Sequence, residues 1–94
     1  MSFARALSPT IREIRILCSQ TGAASAGTRQ FIQANYPVIK QNNPDLPVMI
    51  REARGTPARV FARFEHGVEK HVELDNLSSS DVESKVNQLL SQLS

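Results

Sequence analysis

Apolar and polar residues alternate from Glu13 to Cys18, with Ile14, Ile16 and Cys18 on one side and Glu13, Arg15 and Leu17 on the other. A period of two predicts a strand. Small residues from Thr21 to Gly27 predict a loop. A helix follows to about Asn42, with Phe31, Ala34, Val38 and Ile39 recurring at helical spacing. Pro37 lies inside it and removes one backbone hydrogen bond, which predicts a kink, or a stop at Tyr36 and a restart. Asn43-Pro44-Asp45-Leu46-Pro47 reads as a stop and a turn. Three further strands are predicted: Val48 to Glu52, Ala58 to Phe64 and Val68 to Leu74. Glu65-His66-Gly67 closes the hairpin between the last two, with glycine supplying a positive φ. The final helix has Ser78 as its cap and Leu77 to staple onto Val82. Val82, Val86, Leu89, Leu90 and Leu93 form its apolar stripe.

The predicted order is β-α-β-β-β-α. Two strands that flank a helix should be parallel, and two joined by a tight turn antiparallel. This succession resembles the core of the thioredoxin fold, whose sheet order is 2-1-3-4, so the expected fold class is α/β: a thioredoxin-like, four-stranded mixed sheet in that order. Its third strand is antiparallel and its helices lie mainly on one face. Residues 1–11 read as a tail and 12–94 as the domain. Thr56-Pro57 falls just before the third strand, where thioredoxin folds usually keep a cis-proline. The general preference for trans leaves both isomers open.

Composition narrows the function. Ninety-four residues form at most one domain, and 40% hydrophobic with 21% charged residues describes a globular chain. No stretch approaches the roughly 18 apolar residues of a membrane span. The formal charge of +2 is too small to imply nucleic-acid binding by itself. Met1 to Thr10 carries Arg5 and no acid, which is weakly like a mitochondrial targeting segment; a frayed tail is the alternative.

Cys18 is the sole cysteine. A thiol at a strand end before a helix is where thioredoxin-type proteins keep redox chemistry, but Thr21 stands where the second cysteine would be. A dithiol cycle is excluded within the chain. Cys18 is then a free thiol, either a monothiol nucleophile activated by a helix N-terminus or a small buried apolar residue. Sharing a side with Ile14 and Ile16 favours the second. His66 and His71 with one cysteine make no metal-ligand set. No phosphate-binding glycine motif and no Ser–His–Asp signature is present, so no catalytic residue, cofactor or metal is expected.

Several segments together carry a family resemblance: Arg12-Glu13-Ile14-Arg15-Ile16, Leu17-Cys18, the helix from Phe31 to Tyr36, Asn43-Pro44-Asp45-Leu46-Pro47 and Ile50-Arg51-Glu52. From about residue 11 to 90 the chain resembles the small thioredoxin-like accessory subunits of mitochondrial NADH:ubiquinone oxidoreductase, respiratory complex I. Certain mitochondrial ribosomal proteins share that domain and are the alternative; a free monothiol redox protein is a third. The resemblance implies a non-catalytic subunit on the matrix side of the inner membrane, in the peripheral arm. Its partners would be other complex I subunits, with the large iron–sulfur subunit foremost. It implies no flavin, iron–sulfur cluster or quinone bound by this chain, no nucleic acid and no insertion into the membrane. Some relatives carry a second cysteine just after the Arg-Glu pair; here Ala53 follows Glu52.

Strand parity suggests how such a subunit binds. One side of the sheet collects Ile14, Ile16, Cys18, Val48, Ile50, Val60, Ala62, Phe64, Val68, Val72 and Leu74, with Lys70 as the exception, and should take both helices. The other collects Glu13, Arg15, Leu17, Met49, Arg51, Arg59, Phe61, Arg63, Glu69, His71 and Glu73, a charged face with a few apolar residues among the arginines. Too few residues join the second and third strands to supply a covering helix, and parallel strands are seldom left half exposed. A partner protein is expected there, with Arg15, Arg51, Arg59 and Arg63 as polar contacts and Phe61 as an apolar anchor. The face spans only about 300 Å², against about 800 Å² per partner in a stable interface, so Phe3, Leu7, the Cys18–Gly27 loop or a helix surface should contribute. The alternative is a solvated face of ion pairs, with Glu69 and Glu73 opposite Arg59 and Arg63.

Overall fold

The computed structural model describes Leu7 and residues 9–91; Phe3 and Leu93, invoked above, lie outside the described residues. The elements are β1 (Ile11–Cys18), α1 (Ala26–Asn42), β2 (Val48–Glu52), β3 (Arg59–Phe64), β4 (Glu69–Glu73) and α2 (Ser79–Leu90), with 3-10 turns at Ala23–Ser25 and Glu65–Gly67. The strands form one sheet in the order β2-β1-β3-β4. β1 and β2 are parallel, and the other neighbours antiparallel. This is the expected α/β architecture and is compatible with a thioredoxin-like fold.

β1 starts two residues earlier than the alternation predicts. Ile11 faces Phe64 and Glu13 faces Arg63, so Arg12 is an extra residue in the ladder. This bulge resets the parity. It places Ile11 and Ile14 on one buried side, although three positions separate them, at 5% and 2% exposure. Strict alternation would have turned Ile11 outward.

Ile14, Ile16, Cys18, Val60, Ala62, Phe64 and Leu74 join Phe31 and Ile39 of α1 and Val82, Val86 and Leu89 of α2 in one core. Both helices therefore lie on the same side of the sheet. Ile50 and Val68 were expected within that core but are 36% and 38% exposed. Ile50 lies on an edge strand and Val68 at a hairpin end, and the helices cover the middle of the sheet more fully than its rims.

α1 runs unbroken through Pro37, neither stopping nor restarting. Pro37 is exposed, so the carbonyl that loses its donor lies toward solvent. Ala34 also faces solvent, because the buried stripe runs through Gly27, Thr28, Phe31 and Ile39. Asn43 Nδ2 donates to the Ile39 carbonyl at 2.9 Å, and Lys40 Nζ to the Leu46 carbonyl at 2.7 Å, closing the C-terminal end. The Thr56–Pro57 peptide is trans. Entry to β3 is held by the Ala58 N–H donating to Asp75 Oδ1 at 2.9 Å. The hairpin takes two positive φ angles, 64° at His66 and 75° at Gly67, where one was expected.

At α2, Ser78 Oγ accepts the Asp81 N–H at 3.2 Å, as a cap should. Gly27, in the first turn of α1, packs against the chain entering α2. A Cβ there would sit 1.9 Å from the Leu77 carbonyl oxygen. Gly27→Ala gains about 1 kcal/mol of helix propensity, but displacing a backbone carbonyl outweighs it. The expected net loss of about 2 kcal/mol lowers the thermal midpoint by about 10 °C in a circular dichroism melt.

Candidate partner interface on the open sheet face

Pairing register sets the outward side chains into rows across the strands. Met49, Arg15, Phe61 and His71 form one row. Arg51, Leu17, Arg59 and Glu73 form the next. Glu13, Arg63 and Glu69 form the third. No described helix crosses these rows, since α1 and α2 pack on the other side.

Glu13 organises one end. Its side chain is only 14% exposed and accepts from Arg15 Nε at 2.9 Å and from Arg63 at 2.6 Å. Arg15 also pairs with Glu69. The Arg15 guanidinium lies 5.3 Å from the Phe61 ring centroid, within cation–π range. Phe61 in turn stacks on His71 with centroids 5.1 Å apart. Arg15, Arg63 and Phe61 are thus held by neighbours of their own chain. Arg51 and Arg59 form no ion pair with any described residue. Both expected facings occur, Glu73 opposite Arg59 and Glu69 opposite Arg63, but neither forms an ion pair: Arg63 binds Glu13, and Glu69 reaches across β3 to Arg15.

Leu17 and Met49 were read as outward-facing but not singled out. They line a shallow cavity of about 300 Å³ with Arg15, Ile16, Ile50 and Arg51. Met49 is 45% exposed. The signal was the parity of β1 and β2, which turns both side chains outward between the arginines.

Cys18 is a free and fully buried cysteine. Burial pushes its thiol above the ordinary 9.0; the Glu52 carboxylate adds to this and Arg29 opposes it. Arg29 is occupied with the Ser19 and Gly22 carbonyls at 2.8 and 2.9 Å. A nucleophile would need the opposite shift, so the thiol behaves as a small core residue. The Ala53 N–H donates to the Cys18 carbonyl at 3.1 Å, so the residue after Arg51-Glu52 does lie beside Cys18. Among the described residues, no group of three or more His, Cys, Asp or Glu could hold a metal ion. No described helix is long and apolar enough to cross a membrane.

An α/β scaffold with one open, arginine-bearing sheet face and a buried thiol is the class these features define. The chain belongs to the mitochondrial ribosomal protein L51 / S25 / CI-B8 domain family, whose pattern matches residues 28–79. It is 44% identical over 90 residues to the NADH-ubiquinone oxidoreductase 10.5 kDa subunit of Neurospora crassa, covering 96% of each chain. It is 40% identical over 82 residues to NADH dehydrogenase (ubiquinone) 1 alpha subcomplex subunit 2 of Arabidopsis thaliana, covering 87% of this chain and 84% of that one. The Mus musculus protein of the same name is 38% identical over 81 residues, covering 86% and 82%.

Two outcomes follow from this geometry. Because the folded state favours the neutral thiol, its contribution to stability is complete below pH 9.0 and is lost as pH rises through the higher folded-state value. Melts from pH 7 to 10.5 should show an alkaline decline that Cys18→Ala reduces, and a thiol reagent should label the native chain far more slowly than the denatured one. Glu13→Gln should cost about 1 kcal/mol in a urea titration, less at high salt, by releasing Arg15 and Arg63 together.

Proposed function

We propose that this chain is a non-catalytic accessory subunit of mitochondrial respiratory complex I, attached through its open sheet face. The carrying observation is likeness over nearly the whole chain, 44% identity across 96% of both sequences, to a subunit named for that enzyme. That match extends well beyond residues 28–79, the portion assigned to the domain shared with ribosomal proteins. In this reading the subunit lies on the matrix side, in the peripheral arm, against the large iron–sulfur subunit. It carries no electrons; its contribution is to hold neighbouring subunits in place.

The open face supports such a role physically. Phe61 is an apolar contact whose orientation is already fixed by Arg15 and His71, so little side-chain freedom is lost on docking. Arg51 and Arg59, without ion pairs among the described residues, are the polar contacts for carboxylates of the partner, while Arg15 and Arg63 brace the network behind them.

Arg51→Glu combined with Arg59→Glu tests the reading, leaving the Glu13 network intact. Incorporation into complex I on a native gel should fall by about tenfold or more. The stability of the isolated chain should change by less than about 0.5 kcal/mol, as usual for surface substitutions. Full incorporation with unchanged stability would remove this face from the contact. Migration with ribosomal particles, and binding to RNA that weakens steeply with salt, would move the protein to the ribosomal branch of its family.

A further inference from the structure

The two edges of the sheet are built differently. On β2, the Ile14 N–H donates to the Pro47 carbonyl at 3.0 Å and the Ala53 N–H to the Cys18 carbonyl at 3.1 Å. With Ile16 opposite Ile50, these bonds fix the phase of the parallel ladder. Met49 and Arg51 turn their main-chain groups toward β1, and Val48, Ile50 and Glu52 turn theirs outward. Around Met49 and Ile50 the side chains flanking this edge are apolar on both sides, while Arg51 on the open face and Glu52 on the helix side are exposed charges at its C-terminal end. Met49 is 45% exposed on the open face and Ile50 is 36% exposed on the helix side. They are two of the three exposed large hydrophobic residues among those described.

β4 is guarded. Glu69, His71 and Glu73 stand exposed on its open face, and the half-buried Lys70 places a charge on the helix side. Charges so placed deter strand pairing. On β2 such charges stand only at the C-terminal end, at Arg51 and Glu52, and Val48 to Ile50 carry none. Beside Met49, its outward cation Arg51 has no ion-pair partner among the described residues.

Resting on the complex I reading above, we propose that β2 receives an extended segment of a neighbouring subunit as an added strand. That segment presents an apolar side chain to Ile50 on the helix side and a carboxylate to Arg51 on the open face. Main-chain bonds to Val48, Ile50 and Glu52 supply attachment, and the alternating side chains supply selectivity. A second copy of this chain fits less well. Antiparallel self-pairing centred on Ile50 would set two Arg51 side chains diagonally on one face with no carboxylate between them. A five-residue strand pair is also far smaller than a stable dimer contact needs. A different subunit covering both the edge and the adjoining cavity at Leu17 and Met49 adds the missing area.

Proline at position 50 tests this directly. The Ile50 N–H points away from β1, so Ile50→Pro keeps the internal ladder but blocks an added strand. Ile50→Lys leaves the backbone unaltered and copies the guard on β4. Glu73→Pro is the control, because its N–H faces outward from the opposite edge. Full-length variants are expressed in mitochondria lacking the parent chain, incorporation is read on native gels, and purified variants are melted. Ile50→Pro and Ile50→Lys should each lower incorporation by about tenfold or more, with thermal midpoints near the parent's, while Glu73→Pro incorporates normally. Parental incorporation of Ile50→Lys overturns the proposal, whether or not Ile50→Pro folds. An equal loss for Glu73→Pro overturns it as well, by tracing the effect to stability. A parent chain that is dimeric by light scattering and made monomeric by Ile50→Lys reassigns the edge to self-association and also overturns it. If the parent itself never migrates with complex I, the functional reading fails instead.

Discussion

Burial of a single side of the sheet is the constraint on which the other features depend. Each strand must place its apolar residues on the helix side and spend the alternate positions elsewhere. β1, paired on both flanks, obeys the strictest version: Ile14, Ile16 and Cys18 inside, Arg15 and Leu17 outside. A domain of this size buries a modest share of its surface, so no second core is available to compensate for errors. The bulge at Arg12 and the close passage of Gly27 under Leu77 serve this one core. The first brings Ile11 into it, and the second lets the start of α1 meet the start of α2.

The open face follows a different logic. Its ion pairs are exposed and individually weak, so they contribute little to stability. Their effect is geometric. Glu13 draws Arg15 and Arg63 toward one end, Arg15 lies over Phe61, and Phe61 leans on His71. The two arginines outside this network, Arg51 and Arg59, flank Leu17 at the other end. The face thus divides into a self-satisfied half and a half with unspent charge. That division weakens the view of the whole face as a solvated lattice of compensating pairs.

Strand order, directions and the capped α2 were legible because each rests on local spacing: period two, a tight turn, and a serine before an acidic first turn. The inner and outer sets were legible for the same reason. What escaped depends on long-range contacts. The bulge arises from how β1 meets β3, and no residue type at Arg12 announces it. Ala34 is helically spaced from Phe31, yet the stripe rotates toward Ile39 because of where α1 meets the sheet. Ile50 has the parity of a core residue but belongs to an edge, and parity carries no information about how far a helix extends. The pairing of Glu69 with Arg15 across β3, in place of the facing Arg63, is likewise a matter of side-chain reach. Of the interface candidates, Arg51 and Arg59 keep free charge, while Arg15, Arg63 and Phe61 are engaged within the chain.

The bare margin of β2 has a consequence for supply. A copy made in excess of its neighbours carries unspent amide and carbonyl groups alongside Met49 and Ile50, the arrangement that templates misassociation. An unpartnered copy therefore presents a template for edge-to-edge aggregation even while correctly folded.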